Sequence, residues 1–293
     1  LAAPDAVQRA ISRLSTAVRF FTLADGGLAA FHGGVAMRPS YVAAARAQDE
    51  TGDRPTPSSL DGYQRMDSRR LQVVCDVAAP PAGPWSERAV AQAASIQVLA
   101  GGRRLIDAAC GRGIETASTM QVGEKGYGRV LTGVPASVLG PRLVSAEAPL
   151  DVKRHEAPGA VWLELNHHGW MARYGLMHQR RLYLDLENGE LRGEDRLTPT
   201  AKVQGPDGRH FIAYALRFQL SPGVSALVSQ DRRSVLLRQE GAAGGWTLRN
   251  DAVDIALEPR AAGQGLQLVL KGQRRADSGA RVRWKLSAAA PSR

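Results

Sequence analysis

Cysteine, lysine, aromatic rings and long apolar runs are all scarce in this chain of 293 residues. Its two cysteines, Cys75 and Cys110, allow one disulfide at most, which excludes a disulfide-framework protein. Each falls in or beside a strand-like apolar run, where buried free thiols are common. No apolar run approaches the ~18 residues of a membrane-spanning helix. No signal peptide is legible and the first residue is Leu1, so a processed product or a fragment is expected. Lysine supplies only five of the 38 basic residues, and arginine therefore carries the formal charge of +10. The planar guanidinium suits carboxylates and phosphates, which makes an anionic partner reasonable. Familiar catalytic signatures are missing: there is no P-loop, HExxH, GxSxG or paired CxxC. No RNP, OB or helix-turn-helix signature accompanies the charge, so no nucleic-acid partner is expected.

What is present is β patterning behind a short helical start. From Pro4 to Phe21 apolar residues fall at Val7, Ile11, Leu14, Val18 and Phe21, a spacing of three and four that predicts a helix. After Asp25-Gly26-Gly27 the period changes; Leu28 to Phe31 reads as a short strand, and Tyr41 to Ala47 as a short helix or an irregular segment. From Gly62 onward about sixteen short strands are separated by glycine-bearing turns, among them Asn188-Gly189 and Asp207-Gly208. Gly111-Arg112-Gly113 reads as a turn. Strands without intervening helices predict a mainly β fold, a large antiparallel sandwich. The division expected is 1–24 as a terminal helix, 25–61 as a connecting segment and 62–293 as the sandwich.

One block concentrates chemistry. Asn166 to Leu184 holds three histidines, three arginines, two tyrosines and a tryptophan within nineteen residues. Arginines capture carboxylates, aromatic faces stack on pyranose rings, and His or Tyr can carry protons. Along one continuous strand His167, Gly169, Met171 and Arg173 would share a face, with His168, Trp170, Ala172 and Tyr174 on the other.

This block, with His178-Gln-Arg-Arg-Leu-Tyr-Leu184 and Glu190-Leu-Arg-Gly-Glu-Asp-Arg-Leu197, resembles the C-terminal domain of the heparinase II/III-like proteins of bacteria. The resemblance continues in Leu216-Arg-Phe-Gln-Leu-Ser-Pro-Gly-Val224, Val235-Leu-Leu-Arg238 and Gly245-Trp246. Upstream it takes in Asp25-Gly-Gly-Leu-Ala-Ala-Phe31, Gly62-Tyr63 and Arg103-Arg-Leu-Ile-Asp107. It implies an α/α toroid followed by a supersandwich-like β domain, with the N-terminal helix as the last of a toroid that this chain otherwise lacks. It also implies a polysaccharide lyase of the periplasm or cell envelope, the cytoplasm being left open. Such an enzyme cleaves an acidic, uronate-containing polysaccharide by β-elimination: a base removes the C5 proton and an acid protonates the leaving oxygen. On that reading His167 and Tyr174 are the candidate proton carriers, and Arg173 and Trp170 the candidate substrate contacts.

The chain departs from the family pattern where it matters. Gln92, Ala117, Gln219 and Ser221 stand where the resemblance leads one to expect histidines, leaving an acid near Asp107 as the remnant of a metal set. Alanine neither binds metal nor moves a proton, and glutamine does no general acid–base work. No zinc or other cofactor is therefore expected, and the alternative to a lyase is a non-catalytic carbohydrate-binding or structural sandwich.

Overall fold

The computed structural model describes residues 4–35, 37–49, 55–111, 113–123, 127–144, 150–200 and 211–290. The turn expected at Asp207-Gly208 and the centre of Gly111-Arg112-Gly113 lie outside the described residues. Helix α1 (Asp5–Phe21) and helix α2 (Pro39–Ala47) precede β1 (Ser59–Leu60), β2 (Tyr63–Asp67), β3 (Leu71–Asp76), β4 (Ile96–Ala100) and β5 (Arg103–Asp107). Then follow β6 (Met120–Val122), β7 (Arg129–Val130), α3 (Val134–Leu139), β8 (Leu143–Val144), β9 (Asp151–Ala157) and β10 (Ala160–His167). A single helical turn, α4 (Met171–Tyr174), leads to β11 (Leu176–Asp185), β12 (Glu190–Pro199), β13 (Phe211–Leu220), β14 (Val224–Val228) and β15 (Ser234–Gln239). The chain closes with β16 (Gly245–Asn250), β17 (Asp254–Pro259), β18 (Leu266–Arg275) and β19 (Ala280–Ala288).

The pairing is antiparallel throughout. One sheet runs β1-β2-β3-β4-β5-β13-β18-β17, with β6 also on β13; a second runs β14-β15-β16-β19-β12-β11-β10-β9, and β7 and β8 form a two-stranded pair of their own. The fold is thus the mainly β sandwich that the sequence predicts, behind an N-terminal helix. The expected strand at Leu28 to Phe31 is corrected: only a single bridge, Leu28 to Thr22, forms there, because Gly26 takes a left-handed turn that returns the chain onto its own helix end. Helix α1 docks through Phe20, which packs with Leu23, Val74 and Leu99 against the first sheet.

One continuous apolar core fills the space between the sheets, with Phe218 of β13 meeting Trp284 of β19 edge to face at 5.0 Å. Inside this core sit charged groups. Asp195 of β12 accepts hydrogen bonds at Oδ1 from Arg180 Nε (2.7 Å) and His178 Nε2 (2.8 Å), and at Oδ2 from Trp284 Nε1 (2.9 Å). Arg180 Nη1 donates in turn to the carbonyls of Ala94 (2.6 Å) and Ser118 (3.1 Å), both in loops of the opposite sheet. Arg180 and Asp195 are fully buried. Trp284 reaches Asp195 because the residue facing it across the strand pair is Gly193, where a Cβ would lie 2.1 Å from the indole Cε2.

Burial alone would raise the Asp195 carboxyl, but the Arg180 guanidinium and the His178 hydrogen bond outweigh it and hold the group at about 2. Removing one partner of such a pair leaves the other charge uncompensated in the core, at a cost of about 3–5 kcal/mol. Asp195→Asn should therefore lower the stability read from the urea midpoint by that order, with the denaturant slope unchanged. Replacing both partners with apolar residues, Arg180→Met with Asp195→Leu, should cost less than Asp195→Asn alone.

Candidate functional site

The positions where the resemblance calls for histidines come together at one end of the first sheet. Gln92 is fully buried, and its Nε2 donates to Asp76 Oδ2 at 2.8 Å. His32 Nε2 lies 3.0 Å from the same oxygen, while its Nδ1 accepts from the Val90 amide at 3.2 Å. Gln219, also fully buried, donates through Nε2 to Glu115 O (3.1 Å) and Gln267 Oε1 (3.0 Å) and accepts from Cys110 Sγ at 3.2 Å. Ser221 Oγ donates to Asp107 Oδ1 at 2.7 Å, and Arg260 Nη2 contacts Asp107 Oδ2 at 3.0 Å. Ala117 is fully buried. A cavity of about 280 Å³ opens beside this network, lined by Phe31, His32, Val35, Arg88 and Cys110.

This donor set does not fit zinc. The amide groups of Gln92 and Gln219 are committed to hydrogen bonds, Ala117 offers only a methyl group, and both Asp107 oxygens are engaged, one by a guanidinium. Among the described residues no group of three or more His, Cys, Asp or Glu side chains is placed to hold a metal ion.

The four residues singled out by the sequence lie elsewhere, and their expected alternation is corrected. Strand β10 ends at His167, and the chain turns through α4 to Gly175, at a φ of 63°, before β11 starts at Leu176. Once the extended backbone stops, the two-residue period stops with it, and His167 and Trp170 both turn inward. His167 (2% exposed) and Trp170 (1%) pack against Tyr127, with ring centroids 4.3 and 5.4 Å away. Tyr174 lies beside Trp170 at 6.2 Å, half-buried, whereas Arg173 is exposed to solvent. The structure therefore brings together His167, Trp170 and Tyr174 and leaves Arg173 outside the cluster. Burial above all, with the nearby His178 and His168 imidazoles adding to it, pushes His167 down to about 3, so its ring is neutral at ordinary pH. His178 is likewise lowered, chiefly by burial and against the opposing pull of Asp195.

Sequence reasoning missed the Asp195 cluster, although a signal existed. His178 and Arg180 share parity with Leu176, Leu182 and Leu184 in β11, and Asp195 shares parity with Leu191 and Leu197 in β12. Polar residues on an apolar face of a strand announce a buried network. The amide network around Gln219 left no such local mark, since its partners come from positions as far apart as Cys110 and Gln267.

Two measurements check this geometry. For His167 and His178 the folded-state value lies below the ordinary imidazole value of about 6.5, so the stability they contribute is complete above that pH and is lost as pH falls through it. The melting temperature should drop steadily from pH 7 toward pH 4, each buried imidazole costing up to about 1.4 kcal/mol per pH unit. His167→Phe should flatten that slope. The thiols should differ as well. Cys75 is fully buried with its thiol pushed up by burial, whereas Cys110 borders the cavity. A maleimide should label one thiol in the folded protein and two after unfolding.

Comparison with known proteins places this geometry. Residues 58–285 match the family described as heparinase II/III-like, C-terminal. FtsZ-localized protein C of Caulobacter vibrioides (strain NA1000 / CB15N) is 42% identical over 308 residues, covering 98% of this chain and 53% of that protein. Among solved structures, the heparan sulfate lyase HepC from Pedobacter heparinus superposes with a TM-score of 0.73 at 11% identity, over 99% of this chain and 48% of its own. A heparinase III superposes at 0.63 with 11% identity, over 99% of this chain and 50% of its own. At such identity the likeness to the two lyases shows the fold alone, and the chain spans about half the length of the relatives it matches. On its sequence match and its fold together, the chain belongs to the heparinase II/III-like family and carries that family's C-terminal domain.

Proposed function

We propose that this chain is a non-catalytic interaction module built on the heparinase II/III-like sandwich, acting in association with FtsZ as the name of its Caulobacter relative says of that protein. The observation that carries the reading is the closed amide network. Gln92 and Gln219 occupy expected imidazole positions, and both are buried and hydrogen-bonded at both ends of their side-chain amides. No proton carrier faces the neighbouring cavity from these positions. Both cysteines are free thiols, which accords with a reducing compartment, and we take the cytoplasm as the compartment of this chain.

The competing reading is a lyase acting on an acidic polysaccharide through His167 and Tyr174, with Arg173 and Trp170 holding the sugar. It asks a buried imidazole held near 3 to exchange protons with a solvent-borne substrate, and it asks Trp170, at 1% exposure, to stack on a pyranose ring. On the interaction-module reading these two residues and Tyr174 are a packing cluster, and Arg173 is a surface cation.

Incubation with heparan sulfate, alginate or hyaluronan should release no unsaturated uronide detectable in the ultraviolet, and the chain should co-sediment with assembled FtsZ. Retention on a heparin column should fall equally for Arg173→Glu and Arg9→Glu, both at exposed positions, because net charge and not a site would drive it. Turnover of any of these polysaccharides, or loss confined to Arg173→Glu, would return the assignment to the lyase.

A further inference from the structure

The second sheet carries a feature on its solvent side that the amide network and the aromatic cluster do not touch. A groove of about 650 Å³ crosses five adjacent strands, β10, β11, β12, β19 and β16. Its length across the strands is about 19 Å at the usual strand spacing. Two rows of outward side chains bound it, two residues apart along each strand, and the rows differ in kind.

In one row each cation has its own acid: Arg181 with Glu164 at 3.4 Å, and Arg283 with Asp251 at 2.7 Å; Glu194, between them, pairs with Arg196 at 3.0 Å. In the other row Trp162, Tyr183, Arg192, Lys285 and Arg249 stand directly opposite one another, strand to strand. Here Glu190 is shared by Arg192 at 3.2 Å and Lys285 at 2.7 Å, and the Asp185 carboxylate also feels the charge of Arg192. Arg249 is exposed and has no ion-pair partner among the described residues. Three cations against the carboxylates of Glu190 and Asp185 leave a local positive excess at the Arg249 end, and two aromatic rings mark the other.

The rings also tell which acidic ligand fits. His155 stacks on Trp162 from β9 at 5.3 Å and 20°, and Tyr183 flanks it from β11 at 6.4 Å and 26°. Arg192 covers Tyr183 from β12 at 5.6 Å. The faces of both rings are thus turned toward their neighbours across the strands, and what they offer the groove is edges. A pyranose ring needs a free aromatic face to stack on, whereas an apolar side chain packs against ring edges and the aliphatic stems of Arg and Lys. A groove of about 19 Å holds about six residues of extended chain at ~3.3 Å each. We propose that this groove docks an extended acidic peptide segment of a partner protein, its carboxylates on Lys285 and Arg249 and an apolar side chain against Trp162 and Tyr183.

The proposal deepens the reading of the chain as an interaction module, and a fluorescein-labelled hexapeptide alternating Leu and Asp tests it. The peptide should bind saturably and weaken with salt, and its Leu–Asn counterpart should bind at least tenfold more weakly. Arg249→Glu should weaken binding tenfold or more with the melting temperature unchanged, because Arg249 has no ion-pair partner to lose among the described residues; Trp162→Ala should weaken it as well. Arg13→Glu, an exposed charge on α1, should stay within twofold of the parent. Absence of saturable binding, equal losses at Arg249 and Arg13, or a heparin hexasaccharide that binds the groove more tightly than the peptide would each overturn the proposal. Should Arg249→Glu lose the peptide yet still co-sediment with FtsZ, the groove serves a different partner and the two readings separate.

Discussion

Everything in the second sheet turns on the buried contact between Arg180 and Asp195. These residues are direct cross-strand partners in the β11–β12 pair, and the guanidinium also reaches the carbonyls of Ala94 and Ser118 across the core. A charge pair without exposure is expensive, and its attraction offsets the desolvation only when further hydrogen bonds satisfy both groups. Here His178 and Trp284 complete the carboxylate, and two backbone carbonyls from the opposite sheet receive Nη1 of the guanidinium, while its Nη2 is buried with no hydrogen-bond partner among the described residues. The contact therefore fixes how the two sheets lie against each other at that point, a specification that apolar packing alone gives less sharply.

The same register builds the outer groove. Asn188 and Gly189 turn β11 into β12, with Gly189 at a φ of 62°, and Asp185 accepts from the Asn188 amide and side chain. Counting back from that turn sets Arg180 opposite Asp195 on the inner face and Tyr183 opposite Arg192 on the outer one. A slip of one residue would exchange the faces, putting Tyr183 and Arg192 into the core and Arg180 and Asp195 into water. The buried pair resists that slip because it alone can satisfy charges at those positions. The inner contact thus maintains the aromatic–cationic row that the solvent sees.

The strands were legible because each alternates over enough residues to show its period, and Asn188-Gly189 carried the clearest turn signal. The ends of strands were less so, and the stretch after His167 shows why. Nothing in Gly169-Trp170-Met171 marks the point where extended backbone gives way to a helical turn, yet that point decides whether Trp170 faces solvent or core. Contacts between distant strands were beyond reading by spacing: Trp284 meets Asp195 from 89 positions away, and Gln219 meets Cys110 from 109. Residue chemistry carried further than position. That Gln92, Ala117 and Gln219 stand where the family resemblance leads one to expect imidazoles could be read from the sequence, but that the amides would be closed on both sides could not.

That closure bears on what the fold is for. Active sites hold polar groups ready for a substrate, and such groups are left underemployed in the free protein. Around Gln92 and Gln219 the reverse holds: Gln92 accepts from the His32 amide and donates to Asp76, Gln219 accepts from Cys110 and donates to Gln267, its backbone amide donates to Ser118, and Arg260 neutralises the nearby carboxylate of Asp107. An amide keeps the hydrogen-bonding geometry that an imidazole could supply but carries no proton through a reaction. These hydrogen bonds make that end of the sandwich a stabilising element of the fold. Arg249 ends an outer-face row of the second sheet in which cations outnumber carboxylates, and aromatic rings stand at the other end of that row, so an anionic partner with an apolar side chain meets both features there.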